Sequence, residues 1–274
     1  MTPILFFALH ACSSTKENTS FLIVPNPDQS DVAFSGFDRK TEVFGLSLYA
    51  EQGVRDAQLL HAATITAELL DNDEDGSVDD TTLLEQLQNS QACIPIFASE
   101  GSEAEMTMFD HYDGVGVGAV LYAQEVDENN AGIWGYDASV EEIMHTINSV
   151  GHVVVYPDAF QLAPNSSLLT QAMDIARGGQ FEDVPSEYPE SSWFHYDDQT
   201  CDYECMAIEY MYWSQVAWMG LLDNDSICSG ISNEWELCTP QSFQEKDTAM
   251  HTVITTQEYL LPQNAPDGEY NPNP

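Results

Sequence analysis

Basic residues are nearly absent from this chain: its 274 residues include 6 Lys+Arg against 46 Asp+Glu, a formal net charge of -40. So few cations cannot neutralise a run of phosphates, which excludes nucleic-acid binding through backbone contacts and docking on anionic lipid headgroups. Long apolar runs are missing too, and beyond residues 1–12 nothing approaches the ~20 residues that cross a bilayer. No glycine-rich loop followed by Lys cradles phosphate, because Gly114, Gly116 and Gly118 in GVGVGAV lead into no helix signature. A GxSxG nucleophile turn is absent, and no two cysteines are separated by two residues, which argues against a cysteine zinc site. Disorder is excluded as well. The chain is 43% hydrophobic and 11% aromatic with only 13 Pro and 16 Gly, so its middle must fold. Its acidic surface favours divalent cations as partners.

Residues 1–12 form an apolar run closing on Leu9-His10-Ala11-Cys12, before an abrupt turn to SSTKENTS. This resembles the end of a bacterial lipoprotein signal, in which a Leu, a small residue and then Cys are read by the lipidating machinery. The resemblance implies lipidation at Cys12, anchorage in a membrane and a location in the cell envelope, outside the cytoplasm. A short buried strand with a core cysteine is the alternative. Five cysteines remain, Cys93, Cys201, Cys205, Cys228 and Cys238, so at most two disulfides form. Cys228 with Cys238 would close an acidic loop and Cys201 with Cys205 would staple a helix start, while bridges between the two pairs stay open.

Polar residues 13–40 are expected to be a flexible spacer and 262–274, PQNAPDGEYNPNP, an extended tail, leaving 41–261 as a single globular domain. Apolar periodicity predicts helices over 55–70, 81–89, 139–150, 167–177 and 204–221, with a last one near 247–257. Runs rich in β-branched residues predict strands at 92–98 and 115–125. The expected class is α+β, a helix-dominated single domain with a small sheet.

Between the first two helices lies Asp71-Asn72-Asp73-Glu74-Asp75-Gly76-Ser77-Val78-Asp79-Asp80. Oxygens from Asp71, Asp73, Asp75, Ser77 and Asp79 alternate inward, Gly76 permits the tight turn, and Val78 anchors the loop to the core. The segment 71–82 resembles the calcium loops of EF-hands and dockerins, which implies bound calcium. Position 12 is Thr82, where the pattern has an acid, unless Glu85 swings in. Such a loop outside the cytoplasm is a structural clamp rather than a sensor.

Chemistry is expected on the helix at 139–150. Glu141 and His145 are one turn apart on one face, and Asp137 or Ser139 can cap the helix start. Glu141-Glu142-Ile143-Met144-His145 resembles the zincin HExxH motif with Glu in place of the first His. The resemblance implies zinc held by Glu141 and His145 and a general base at Glu142, in a zincin-like fold acting on a peptide or protein substrate. His152 would need a break near Gly151 to share the ion, since it lies about 10 Å further along a regular helix. Glu209, set among aromatics in CMAIEYMYW, is the expected third ligand, because a buried acid there is costly unless paired or metal-bound. The alternative is a dipole-favoured helix start with a core histidine. Residues 193–205 crowd aromatics and acids together, and either line a cleft or pack as a pinned loop. With the calcium loop and the EExxH helix, this segment is similar to a family of secreted and lipid-anchored bacterial proteins to which no activity is attached. Two functions follow: a calcium-stabilised, lipid-anchored metal-dependent hydrolase, or a non-catalytic calcium-binding surface protein.

Overall fold

The computed structural model describes residues 21–272. Cys12 and the segment 1–12 lie outside the described residues.

Strands β1 (Val24–Pro25), β2 (Phe37–Val43), β3 (Leu46–Glu51), β4 (Cys93–Phe97) and β5 (Leu121–Tyr122) form one sheet in that spatial order. β1, β2 and β3 pair antiparallel, whereas β4 and β5 continue parallel to β3. The β2–β3 hairpin turns through Phe44 and Gly45, both at positive φ (48° and 88°), the two-residue turn whose twist matches the strands. Alternation sorts the side chains. Leu46, Leu48 and Ala50 of β3, with Ile94 and Ile96 of β4, enter the main core. Tyr49, Cys93 and Phe97 point to the other face, where they pack with Phe37, Ala104 and Met108.

Helix α1 (Asp56–Leu70) lies on the main-core face, where Ala62, Ala63 and Ala67 permit close approach. After the acidic loop, α2 (Thr81–Asn89) starts on Asp80, whose carboxylate accepts from the Thr82 and Leu83 amides. α3 (Glu103–His111) covers the opposite face of the sheet. α4 (Ser139–Ile147) packs between α1 and α8 (Tyr203–Met219). It continues into a π-helical turn (Asn148–His152) and the short helices α5 (Val153–Val155) and α6 (Pro157–Phe160). Helices α7 (Leu168–Ala176), α9 (Asp225–Gly230), α10 (Pro240–Lys246) and α11 (Thr248–Ile254) complete the described chain. α7, α10 and α11 pack against α8, and the result is an α+β fold dominated by helix. No described helix is long and apolar enough to cross a membrane.

Three sequence expectations need correction. The spacer over 13–40 does not hold where it is described: residues 24–25 and 37–40 belong to the sheet, and the Asn26 amide is tied to the Phe34 and Phe37 carbonyls. Polar composition misled here because the strand carries its charges paired or exposed: Arg39 meets Asp56, Lys40 meets Asp28, and Asp38 faces solvent. The strand expected over 115–125 shrinks to Leu121–Tyr122. Its glycines serve close approach instead, since a Cβ on Gly118 would stand 2.7 Å from Thr146 Cα, and the Gly116 carbonyl accepts from the Cys93 amide. The third concerns 262–274, whose described part is docked rather than loose. The Gln263 and Asn264 amides donate to Asn72 Oδ1, those of Asp267 and Gly268 donate to the buried Glu68 carboxylate, and Tyr270 is buried.

Both suspected disulfides form, Cys201–Cys205 and Cys228–Cys238. Cys93 remains a free, buried thiol.

Candidate metal centre

Asp137 sets the start of α4. Its carboxylate accepts from the Ser139 hydroxyl (2.7 Å), the Gly132 amide (2.8 Å) and the His61 Nε2 of α1 (2.9 Å), so the helix is pinned to its neighbour before its first turn. Val140, Ile143, Met144 and Ile147 then bury the apolar stripe. Glu141, Glu142 and His145 are left on the side that meets α8. That helix is stapled by Cys201–Cys205, capped by Asp202 on the Cys205 amide, and aligned to the π turn by Asn148 donating to Gln215 Oε1 (2.9 Å).

The packing brings Glu141, His145 and Glu209 together, with one ligand atom of each within 4.8 Å of the others. His145 is 8% exposed. Its Nε2 faces Glu209 Oε2 across 3.7 Å, too long for a hydrogen bond and suited to two donors around a common cation. A cleft of about 410 Å³ opens onto this triad, walled by Glu142, Gly118, Ala119, Ser149, Leu162, Glu204 and Ile208.

Electrostatics describe a cluster short of positive charge. Burial pushes Glu141 up to about 7, even though the Tyr212 hydroxyl donates to it. Burial, with Glu141 and Glu125 nearby, pushes Glu142 to about 8. Glu209 rises to about 9 through burial and the charges of Glu141, Glu142 and Glu234, against the pull of a hydrogen bond from Tyr196. Burial lowers His145 to about 4, so its imidazole is neutral and free to ligate. Three acids that resist ionisation around a neutral imidazole form a site that a divalent cation would relieve. The donor set is able to hold a metal ion.

His152 stands apart. The π turn carries it away from the cleft, its Nδ1 meets Asn148 Oδ1, and its ring stacks on Tyr156. Tyr196 and Tyr212 are the site residues that sequence reasoning missed. Tyr212 lies three residues after Glu209, which places it on the same helix face, a signal obscured by the five aromatics of this helix. Both hydroxyls lie near a carboxylate of the triad and favour its ionised form. Tyr212→Phe should therefore weaken metal binding about 10–100-fold while leaving the fold intact, measured by competition against a chelating dye; an unchanged affinity would show that Glu141 needs no such support.

At the acidic loop, Asp71, Asp73 and Asp79 come together within 4.8 Å, forming a second group able to hold a metal ion. Gly76 takes the left-handed conformation expected of it (φ 92°) and Val78 packs on the core. Asp75 is not in that group, and its carboxylate accepts from the Ser77 amide (2.8 Å). Glu85 is exposed on α2 and does not replace the missing acid of position 12. Unforeseen from sequence, the Tyr270 hydroxyl donates to the fully buried Asp71, and the Asn271 amide donates to Glu74.

Comparison with known proteins adds nothing to these two centres: no family model matches the chain, and neither a curated protein nor a solved structure does so.

Proposed function

We propose that the chain is a calcium-stabilised, metal-dependent hydrolase acting on peptide bonds, with zinc held by Glu141, His145 and Glu209. The observation that carries this reading is the convergence of a neutral, buried imidazole and two desolvated carboxyls from separate helices on one point of an open cleft. When bound, zinc polarises a carbonyl and acidifies water at that point. Glu142, beside Glu141 on the cleft wall, takes the proton of the attacking water and returns it to the leaving amine. Burial and the neighbouring carboxyls hold Glu142 protonated in the metal-free protein, and a bound dication beside it would favour the ionised form that accepts the proton. Tyr212 and Tyr196 hold the ligand carboxylates in place. Calcium at Asp71, Asp73 and Asp79 closes the α1–α2 loop as a clamp. The two disulfides support an oxidising compartment, in keeping with a lipid anchor at Cys12 and a place in the cell envelope.

The test is hydrolysis of a mixed peptide pool by zinc-loaded protein. Glu142→Gln should keep its zinc and lose about 10²–10⁴ of the rate. Equal rates in the two proteins would remove Glu142 from the chemistry. Absence of cleavage with calcium as the sole bound metal would instead favour a non-catalytic surface protein.

A further inference from the structure

The walls of the metal cleft carry no positive charge. The cations among the described residues are engaged elsewhere: Arg39 with Asp38 and Asp56, Lys40 with Asp28 and Glu42, Arg55 with Glu128, Arg177 with Asp174, and Lys246 over the Trp193 ring. Glu141 and Glu209 together offset a dication, and Glu142 is committed to proton transfer. That leaves Glu204 as the one lining carboxylate with no task in the reaction. It is exposed in the first turn of α8, pairs with no cation among the described residues, and is held by the Cys201–Cys205 staple.

Position along α8 gives this residue its meaning. Glu204 precedes Glu209 by five residues, roughly 7.5 Å at 1.5 Å per residue. Ile208 lies between them on the cleft side, and Leu162 adds a second apolar side chain to the wall. An acid at the mouth, an aliphatic floor and a metal centre at the end match a lysine or arginine side chain, whose hydrocarbon stem favours apolar surface while its head seeks a carboxylate. His145, buried, aimed into the cleft and without a hydrogen-bonded partner at its Nε2, independently marks this as a ligand site rather than a solvated acidic patch.

We infer that the substrate carries a cationic side chain beside the bond that is broken, and that Glu204 is its specificity determinant. This rests on the hydrolase reading of the same cleft, which sets where the reacting bond lies.

Binding is measured calorimetrically at physiological ionic strength on the full chain carrying Glu142→Gln and loaded with zinc, so that no turnover intervenes. The probes are acetylated tetrapeptide amides that differ only in the third residue: lysine, norleucine or glutamate. The lysine peptide should bind about tenfold tighter than the norleucine peptide, equivalent to 1.4 kcal/mol, with the glutamate peptide weakest. Adding Glu204→Lys should abolish the preference. Adding Glu103→Lys, an exposed acid on α3 outside the cleft, should leave it unchanged and so separates a local contact from the attraction of a protein of charge -40. Equal binding of lysine and norleucine peptides, an equal loss in both charge reversals, or no peptide binding overturns the inference. Failure of the hydrolase reading shows separately, in zinc content and in Glu142-dependent cleavage. A protein that loads zinc and cleaves neutral peptides equally well keeps that reading and loses this one.

Discussion

Glu209→Gln should make the metal-free protein more stable at pH 8 by several degrees of melting temperature while abolishing its stabilisation by zinc. The carboxyl of Glu209 is pushed to about 9 in the folded, metal-free protein, against roughly 4.3 for a solvated glutamate. Between those values the folded state holds a proton that the unfolded chain has released. Stability therefore falls as pH rises through that window. Glu141 and Glu142, raised to about 7 and about 8, add to the same slope. His145, lowered to about 4, acts at the other end: its contribution is present above pH 6.5 and is lost as pH falls toward 4. Glutamine matches the protonated acid in shape and has no proton to lose. The gain should thus be largest near pH 8–9 and vanish near pH 4, where Glu209 is protonated in both states. Scanning calorimetry in chelator across that range checks it. A variant less stable than the parent at pH 8 would mean that the Glu209 carboxylate is stabilised by something other than a metal.

Calcium should have the second large effect. At about 100-fold its dissociation constant, a ligand of the folded state adds about 2.7 kcal/mol, roughly 5–10 °C for a chain of this size. Asp71 is fully buried and receives the Gly76 amide at 2.9 Å as well as the Tyr270 hydroxyl, so loop closure and docking of the C-terminal segment share one carboxylate. Glu68, pushed by burial to about 8, receives the Asp267 and Gly268 amides one turn earlier on α1. Chelation should lower the melting temperature by that amount and expose the segment 262–272 to protease. Asp71→Asn should reproduce both changes in the presence of calcium. An unchanged melting temperature together with unchanged protection would leave the loop as a hydrogen-bonded acidic turn.

The strongly periodic helices were legible in sequence, because the 3.6-residue stripe of Leu59, Ala63 and Leu70, or of Ile143, Ile147 and Val150, survives in any context. So was the convergence of Glu141, His145 and Glu209. An i, i+4 pair is set by helix geometry, and an acid among Ile208, Tyr210 and Met211 is too costly to leave unexplained. What escaped depends on pairing across long separations. The charged residues Asp38, Arg39 and Lys40 belong to a strand whose partner hides in the alternation of Leu46-Ser47-Leu48-Tyr49-Ala50. α3 escaped because Glu103, Glu105 and Asp110 mask the apolar face formed by Ala104 and Met108. Tyr270 could not be matched to Asp71 at all, since 199 residues separate them and no local pattern records the contact.

The measurement that bears most directly on the central claim is elemental mass spectrometry of protein purified without chelator, for the parent chain and for His145→Ala. A hydrolytic centre at Glu141, His145 and Glu209 requires one zinc per chain in the parent, lost in His145→Ala with the calcium content unchanged. Zinc absent from both proteins, or retained equally by both, would contradict it.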